Sequence, residues 1–142
     1  MEEAEFEIPD IHTCPRDQQG VVTLSIDDGV HIYLSPREQG QFFAHMVLIE
    51  APYDLKDREE IFSTLMQANH FQKGTKTGWF SFDAQLNLVF LCALIPESDT
   101  HGKKLAHAIQ NLYSTHKYWK EELARKQEKK TAEDHPSLLF KI

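Results

Sequence analysis

The sequence predicts an α+β fold: a two-layer sandwich in which a twisted, mainly antiparallel five-stranded sheet packs against two main helices, in the order β-β-β-α-β-β-α. Three observations carry this reading. The stretch VVTLSIDDGVHIYLS alternates apolar and polar residues on either side of an Asp-Gly turn, a strong hairpin signal. Apolar residues then recur at helical spacing in two windows, Ile61 to Met66 and Leu105 to His116. Between those windows lies WFSFDAQLNLVFLCALIP, which reads as two strands joined by a tight turn near Ala84 and Gln85.

Residues 1–20 contain Pro9, Pro15 and a polar stretch ending at Gly20, and read as an irregular lead-in segment. In the hairpin that follows, Val22, Leu24 and Ile26 share one face, and Val30, Ile32 and Leu34 share the matching face of the returning strand. After Pro36 and Gly40, QFFAHMVLIE forms a third strand that is apolar on both sides and is ended by Pro52. Asp57 followed by Glu60 has the spacing of a capping box, so a helix is expected to open there, carry Ile61, Phe62, Leu65 and Met66 on one stripe, and stop near Asn69.

The next two strands pose the main puzzle. From Leu86 onward, Leu86, Leu88, Phe90, Cys92 and Leu94 occupy one face and Asn87, Val89, Leu91, Ala93 and Ile95 the other. A sheet with one wet face should alternate apolar with polar. Because one layer of helices covers only one side, the other apolar side calls for a further cover, and a second copy or a partner chain would supply it. Beyond Pro96, Asp99 or Thr100 can cap a long helix that runs past Trp119. From Lys126 the composition turns to Lys, Glu and Gln, so residues 126–142 are expected to form a flexible tail, or one docked weakly through Leu138, Leu139 and Phe140, behind a single domain at 21–125.

Composition narrows the function classes. A formal net charge of −7 lacks the basic footprint of a nucleic-acid binder. Two cysteines make no disulfide framework, the N-terminus lacks the basic start and apolar run of a secretory signal, and no apolar run approaches the roughly 18 residues of a membrane span. A reducing cytoplasm is the expected location. The eight histidines fall in no metal-gathering motif, no serine lies in a nucleophile elbow, and the glycines form no phosphate cradle. Neither metal, cofactor nor catalytic group is therefore expected. A small-ligand protein or enzyme of the same architecture stays open as an alternative, with His31, Tyr33 and His45 in a pocket.

The strand and helix order, with the phrase LMQANHFQKGTKTGWFSFDAQLNLVFLCALIP, resembles the class I chaperones of bacterial type III secretion, the Tir chaperone family. Leu65, Met66, Ala68 and Asn69 match the family's helix end, Asp83 its hairpin, and Leu94, Ile95 and Pro96 the close of its last strand. The resemblance spans most of Val21 to Leu123. It implies an acidic cytoplasmic homodimer that holds the N-terminal segment of a secreted effector in extended form. It also places Leu65, Met66, Phe71, Leu88, Phe90 and Cys92 in the dimer seam. Leu24, Ile32, Tyr33, Phe42, Met46 and Leu48 are the candidate effector contacts. Family members begin with an amphipathic helix of three or four turns; only MEEAEFEI precedes Pro9 here, so that helix is expected to be shortened or absent. An adaptor that recruits the export ATPase is a third reading the sequence leaves open.

Overall fold

Alternation, turn chemistry and helical periodicity produce the expected elements in a computed structural model that describes residues 11–13, 20–26, 29–38, 40–71, 78–96, 98 and 102–134. Strands β2 (Val22–Ile26) and β3 (Val30–Arg37) pair as an antiparallel hairpin, with Leu24 opposite Ile32 and Val22 opposite Leu34. Gly29 takes φ 86° at the turn and donates its N–H to the Ile26 carbonyl at 2.9 Å. That left-handed conformation suits a residue without a Cβ. Strand β4 (Gln41–Glu50) follows β3 and then pairs along its other side with β6 (Leu88–Pro96), which in turn pairs with β5 (Trp79–Asp83).

The five expected strands are all present, and a sixth joins them. Residues Ile11–Thr13, inside the segment read as irregular, form a short strand β1 along β2, so the sheet order is β1-β2-β3-β4-β6-β5. The first ten residues, where the shortened family helix was expected, lie outside the described residues, as do Asp99, Thr100 and Leu138 to Phe140.

Helix α1 spans Leu55–Phe71 and begins earlier than the Asp57 cap implied. Asp54 is the actual cap: its Oδ1 accepts the Asp57 N–H at 3.0 Å, and its carbonyl accepts the Arg58 N–H at 2.9 Å. Asp54 and Asp57 have the same three-residue spacing as Asp57 and Glu60, and the bend after Pro52 decides in favour of the earlier pair. Helix α2 runs Gly102–Asp134, past the tail boundary drawn at Lys126, because Lys, Glu and Gln are good helix formers.

Both helices lie on one side of the sheet. Phe80 and Phe82 share a face of β5; Phe82 meets Phe62 of α1 at 4.8 Å between ring centroids, and Phe80 meets Trp119 of α2 edge-on at 5.2 Å. The core between the layers is built from Leu24, Ile32, Leu34, Met46 and Leu91 beneath Leu105, Ile109 and Leu112. A register shift between Val47 and Ile49 marks a β-bulge in β4. The freed Val47 carbonyl accepts the Nε2–H of buried His116 at 2.9 Å, which ties α2 to the bend.

Candidate interaction surface

The opposite side of the sheet carries Thr23 and Ser25 of β2, His31, Tyr33 and Ser35 of β3, Phe43, His45 and Val47 of β4, Leu88, Phe90, Cys92 and Leu94 of β6, and Trp79 and Ser81 of β5, as the pairing register requires. At its centre is an aromatic array. The His45 ring stacks with Tyr33 and with Phe43, each at 5.2 Å, and meets Phe90 edge-on at 5.8 Å. Phe43 continues the array to Trp79 at 6.0 Å, with the Arg37 guanidinium 4.9 Å over its ring. Val47 and Leu94 are 39% and 42% exposed beside it. No described helix packs over this side. An apolar, aromatic sheet face that water wets is the composition of a recognition surface.

Two polar atoms in the array are energetically marked. His45 Nδ1 is buried without a hydrogen-bond partner among the described residues, and desolvation lowers the imidazole's pKa, so His45 is neutral here. Cys92, directly opposite His45 on β6, is buried; desolvation pushes its thiol pKa up while the 3.3 Å contact with Ser81 Oγ opposes the shift only in part. The thiol is protonated and inert, not a nucleophile. Among the described residues no three His, Cys, Asp or Glu side chains gather to hold a metal ion, and no helix is long and apolar enough to cross a membrane.

The structure sorts the candidate residues differently from their apolarity. Leu65 of the seam group is buried in the core, Met66 is 70% exposed on the outer side of α1, and Phe71 ends α1 with its side chain outside the described residues. Leu88, Phe90 and Cys92 lie together on the open face. Leu24, Ile32, Met46 and Leu48, read as effector contacts, are instead fully enclosed between sheet and helices, and so are not surface in this fold. Phe42 packs half-buried against that core, and of this group only Tyr33 faces the open side. Strand alternation separates two faces but does not say which is covered, and the longest aliphatic side chains are those of the covered one. Phe43, Val47, Trp79 and Leu94 were not among the candidates; the signal for Phe43 and Val47 was the doubly apolar run QFFAHMV, whose second face they share with His45, and for Leu94 it was the second apolar face of β6. His31, Tyr33 and His45 do lie together, but as part of the stacked array.

The sheet's two long edges differ. At β5, the last turn of α1 carries Asn69, whose Oδ1 accepts the Phe80 N–H at 2.7 Å and whose Nδ2 donates to the Phe80 carbonyl at 3.0 Å. The side-chain amide stands where a neighbouring strand's peptide group would stand. At the other edge, β1 lies along β2.

Comparison with known proteins agrees with this architecture. The model of the Tir chaperone protein (CesT) family matches residues 8–120. No curated protein matches the sequence significantly. A chain from the crystal structure of the ExsC–ExsE complex superposes with a TM-score of 0.62 at 20% identity, over 78% of this chain and 80% of that one. A chain from the HopA1–SchA chaperone–effector complex superposes with a TM-score of 0.56 at 14% identity, over 75% and 80%. At these identities the two likenesses establish a shared fold.

Proposed function

This chain belongs to the Tir chaperone protein (CesT) family, and from that premise we propose that it is a homodimeric class I type III secretion chaperone, which works by binding rather than by catalysis in the bacterial cytoplasm. The observation that carries the proposal is the uncovered aromatic face. Phe43, His45, Phe90 and Leu94 form an apolar, partly exposed surface that no described helix covers, and burial of apolar area drives association. A second copy meeting that face through its own Phe90 and Leu94 is self-complementary, as a two-fold interface must be. In this reading the seam comprises Leu88 and Phe90 of the expected group, joined by Phe43, Val47 and Leu94, with Cys92 buried behind them. Met66 is exposed on α1, on the other side of the sheet from that face, and takes no part in this seam.

The cargo is the N-terminal segment of a secreted effector, held extended. Backbone pairing at a sheet edge gives affinity that tolerates sequence variation, and alternate side chains in grooves give selectivity. Support comes from the family assignment and from the fold shared with a chain of a chaperone–effector complex. The test is co-expression with N-terminal segments of secreted proteins from the same genome, followed by purification and limited proteolysis. The proposal predicts a complex of defined stoichiometry with the segment shielded from protease. Recovery of the chain without any such segment, across all secreted candidates, would contradict it.

A further inference from the structure

The two sheet edges are not equivalent as places for an added strand. In the antiparallel pair with β6, Phe80 turns its N–H and its carbonyl away from Leu91, and Asn69 takes both. The middle of the β5 edge is therefore closed by a side chain that imitates a strand. The β2 edge is held by β1, in the register Ile11 to Ile26, His12 to Ser25 and Thr13 to Leu24. Among the described residues that hold covers three positions of a five-residue strand, whereas β2 pairs with β3 along all five. Pro9 and Pro15 stand two positions beyond either end of β1 in the sequence, and a proline has no N–H to extend the ladder.

We infer that β1 is an intramolecular placeholder: it occupies the β2 edge in the free chaperone and is displaced when an extended cargo segment pairs there. The inference rests on the chaperone reading for the identity of the cargo, and adds which edge the cargo takes and what it competes with. The occupant is an extended segment of a secreted protein, free of proline over at least the length of β2. β2 buries Val22, Leu24 and Ile26 toward the helices and leaves Thr23 and Ser25 half-exposed on the other side. A strand laid beside it continues the layers when every second residue is apolar. Self-capping has two consequences. It shields an edge that would otherwise template association between chaperones. It also lowers the apparent affinity for cargo by the fraction of time the edge is closed, so a segment pairing along the whole of β2 outcompetes one that pairs along only part of it.

The experiment uses the full-length chain and a double variant, Ile11→Pro with His12→Pro. Successive residues of a strand point their amides to opposite sides, so one of the two substitutions removes a donor aimed at β2. The probe is a synthetic peptide with the sequence of residues 8–16, carrying serine in place of Cys14, titrated to millimolar concentration into isotope-labelled protein. The inference predicts saturable amide shifts confined to β2 in the variant, and about tenfold weaker binding to the wild type, where the tethered strand competes at millimolar effective concentration. Equal binding to both proteins, or none to the variant while its melting temperature stays near the wild-type value, would overturn the placeholder. Once a cargo segment is in hand, it should bind the variant about tenfold more tightly and release the β1 amides of the wild type; unchanged β1 amides on cargo binding would also overturn it. A positive peptide result with no cargo ever captured would refute the chaperone reading and leave the displaceable strand standing.

Discussion

Asn69 is the residue on which the β5 edge depends, and replacing it with alanine isolates its effect. Two hydrogen bonds are lost, at 2.7 and 3.0 Å, and both partners belong to Phe80, a residue only 6% exposed. An unsatisfied buried backbone group costs about 1–3 kcal/mol. Because Asn69 itself is half-buried, water recovers part of that for one of the two groups, so the expected loss is about 2–3 kcal/mol. For a domain of this size each kcal/mol lowers the melting temperature by about 3–4 °C, giving a shift of about 6–12 °C. The assay is thermal and urea unfolding at one fixed protein concentration, since association links stability to concentration. Gln67→Ala, exposed on the same helix, serves as control and should stay within about 0.5 kcal/mol of wild type. Asn69→Asp keeps the acceptor for the Phe80 N–H but sets a carboxylate oxygen against the Phe80 carbonyl. It should therefore be at least as damaging at pH 7 and recover partly under acid, when a protonated carboxyl can donate. An alanine variant melting within about 2 °C of wild type would refute the claim that this amide closes the edge.

Three further outcomes follow from the same structure. Asn87 sits at φ 57° while its Nδ2 donates to the Ala51 carbonyl and its Oδ1 accepts from Arg58. Asn87→Gly, which keeps the conformation and loses the bonds, should cost about 1–2 kcal/mol in urea unfolding, and Asn87→Ala about 1 kcal/mol more. His45 is held neutral by desolvation; its folded pKa lies below the unfolded value of about 6.5, so its contribution is complete above that pH, and stability falls on acidification from there to the folded pKa as the unfolded chain takes up the proton first. The drop in melting temperature between pH 7 and pH 5 should shrink in His45→Phe, and an unchanged pH profile would count against it. Finally, Cys92 should react with iodoacetamide at least about a hundredfold more slowly in the native protein than in urea, because burial both shields the thiol and disfavours the thiolate; equal rates by mass spectrometry would place it on an accessible surface.

The sequence revealed the elements more fully than the faces. The Val22 to Leu34 hairpin and the stripe of Ile61 and Leu65 were legible because period two and period 3.6 are local properties of the chain. The start of α1 was misplaced by three residues because Asp54 and Asp57 present the same chemistry, and only the bend after Pro52 distinguishes them. Strand β1 was illegible, since three residues between two prolines carry no periodicity. The surface suffered most. Leu24, Ile32, Met46 and Leu48 were chosen for their apolarity, the very property that put them under the helices, while Phe43, His45 and Trp79 acquire meaning only when β3, β4, β6 and β5 lie side by side. Asn69 was visible as part of a family motif, but its partner Phe80 lies eleven positions away in the sequence, and that pairing belongs to tertiary structure.

The proposed dimer rests on the open face meeting a second copy. The most direct measurement is the solution mass by light scattering across a concentration series, for wild type, Phe90→Glu and Leu94→Glu. A charge at either position would be buried against its own symmetry mate, a cost of several kcal/mol per ion, and Leu94 is exposed enough that the substitution leaves the monomer core intact. The dimer predicts a wild-type mass of twice 16.5 kDa, with both variants folded by circular dichroism and shifted to the monomer mass. A wild type that stays at 16.5 kDa at every concentration, or a Leu94→Glu variant that dimerises as tightly as wild type, would contradict the assignment of this face.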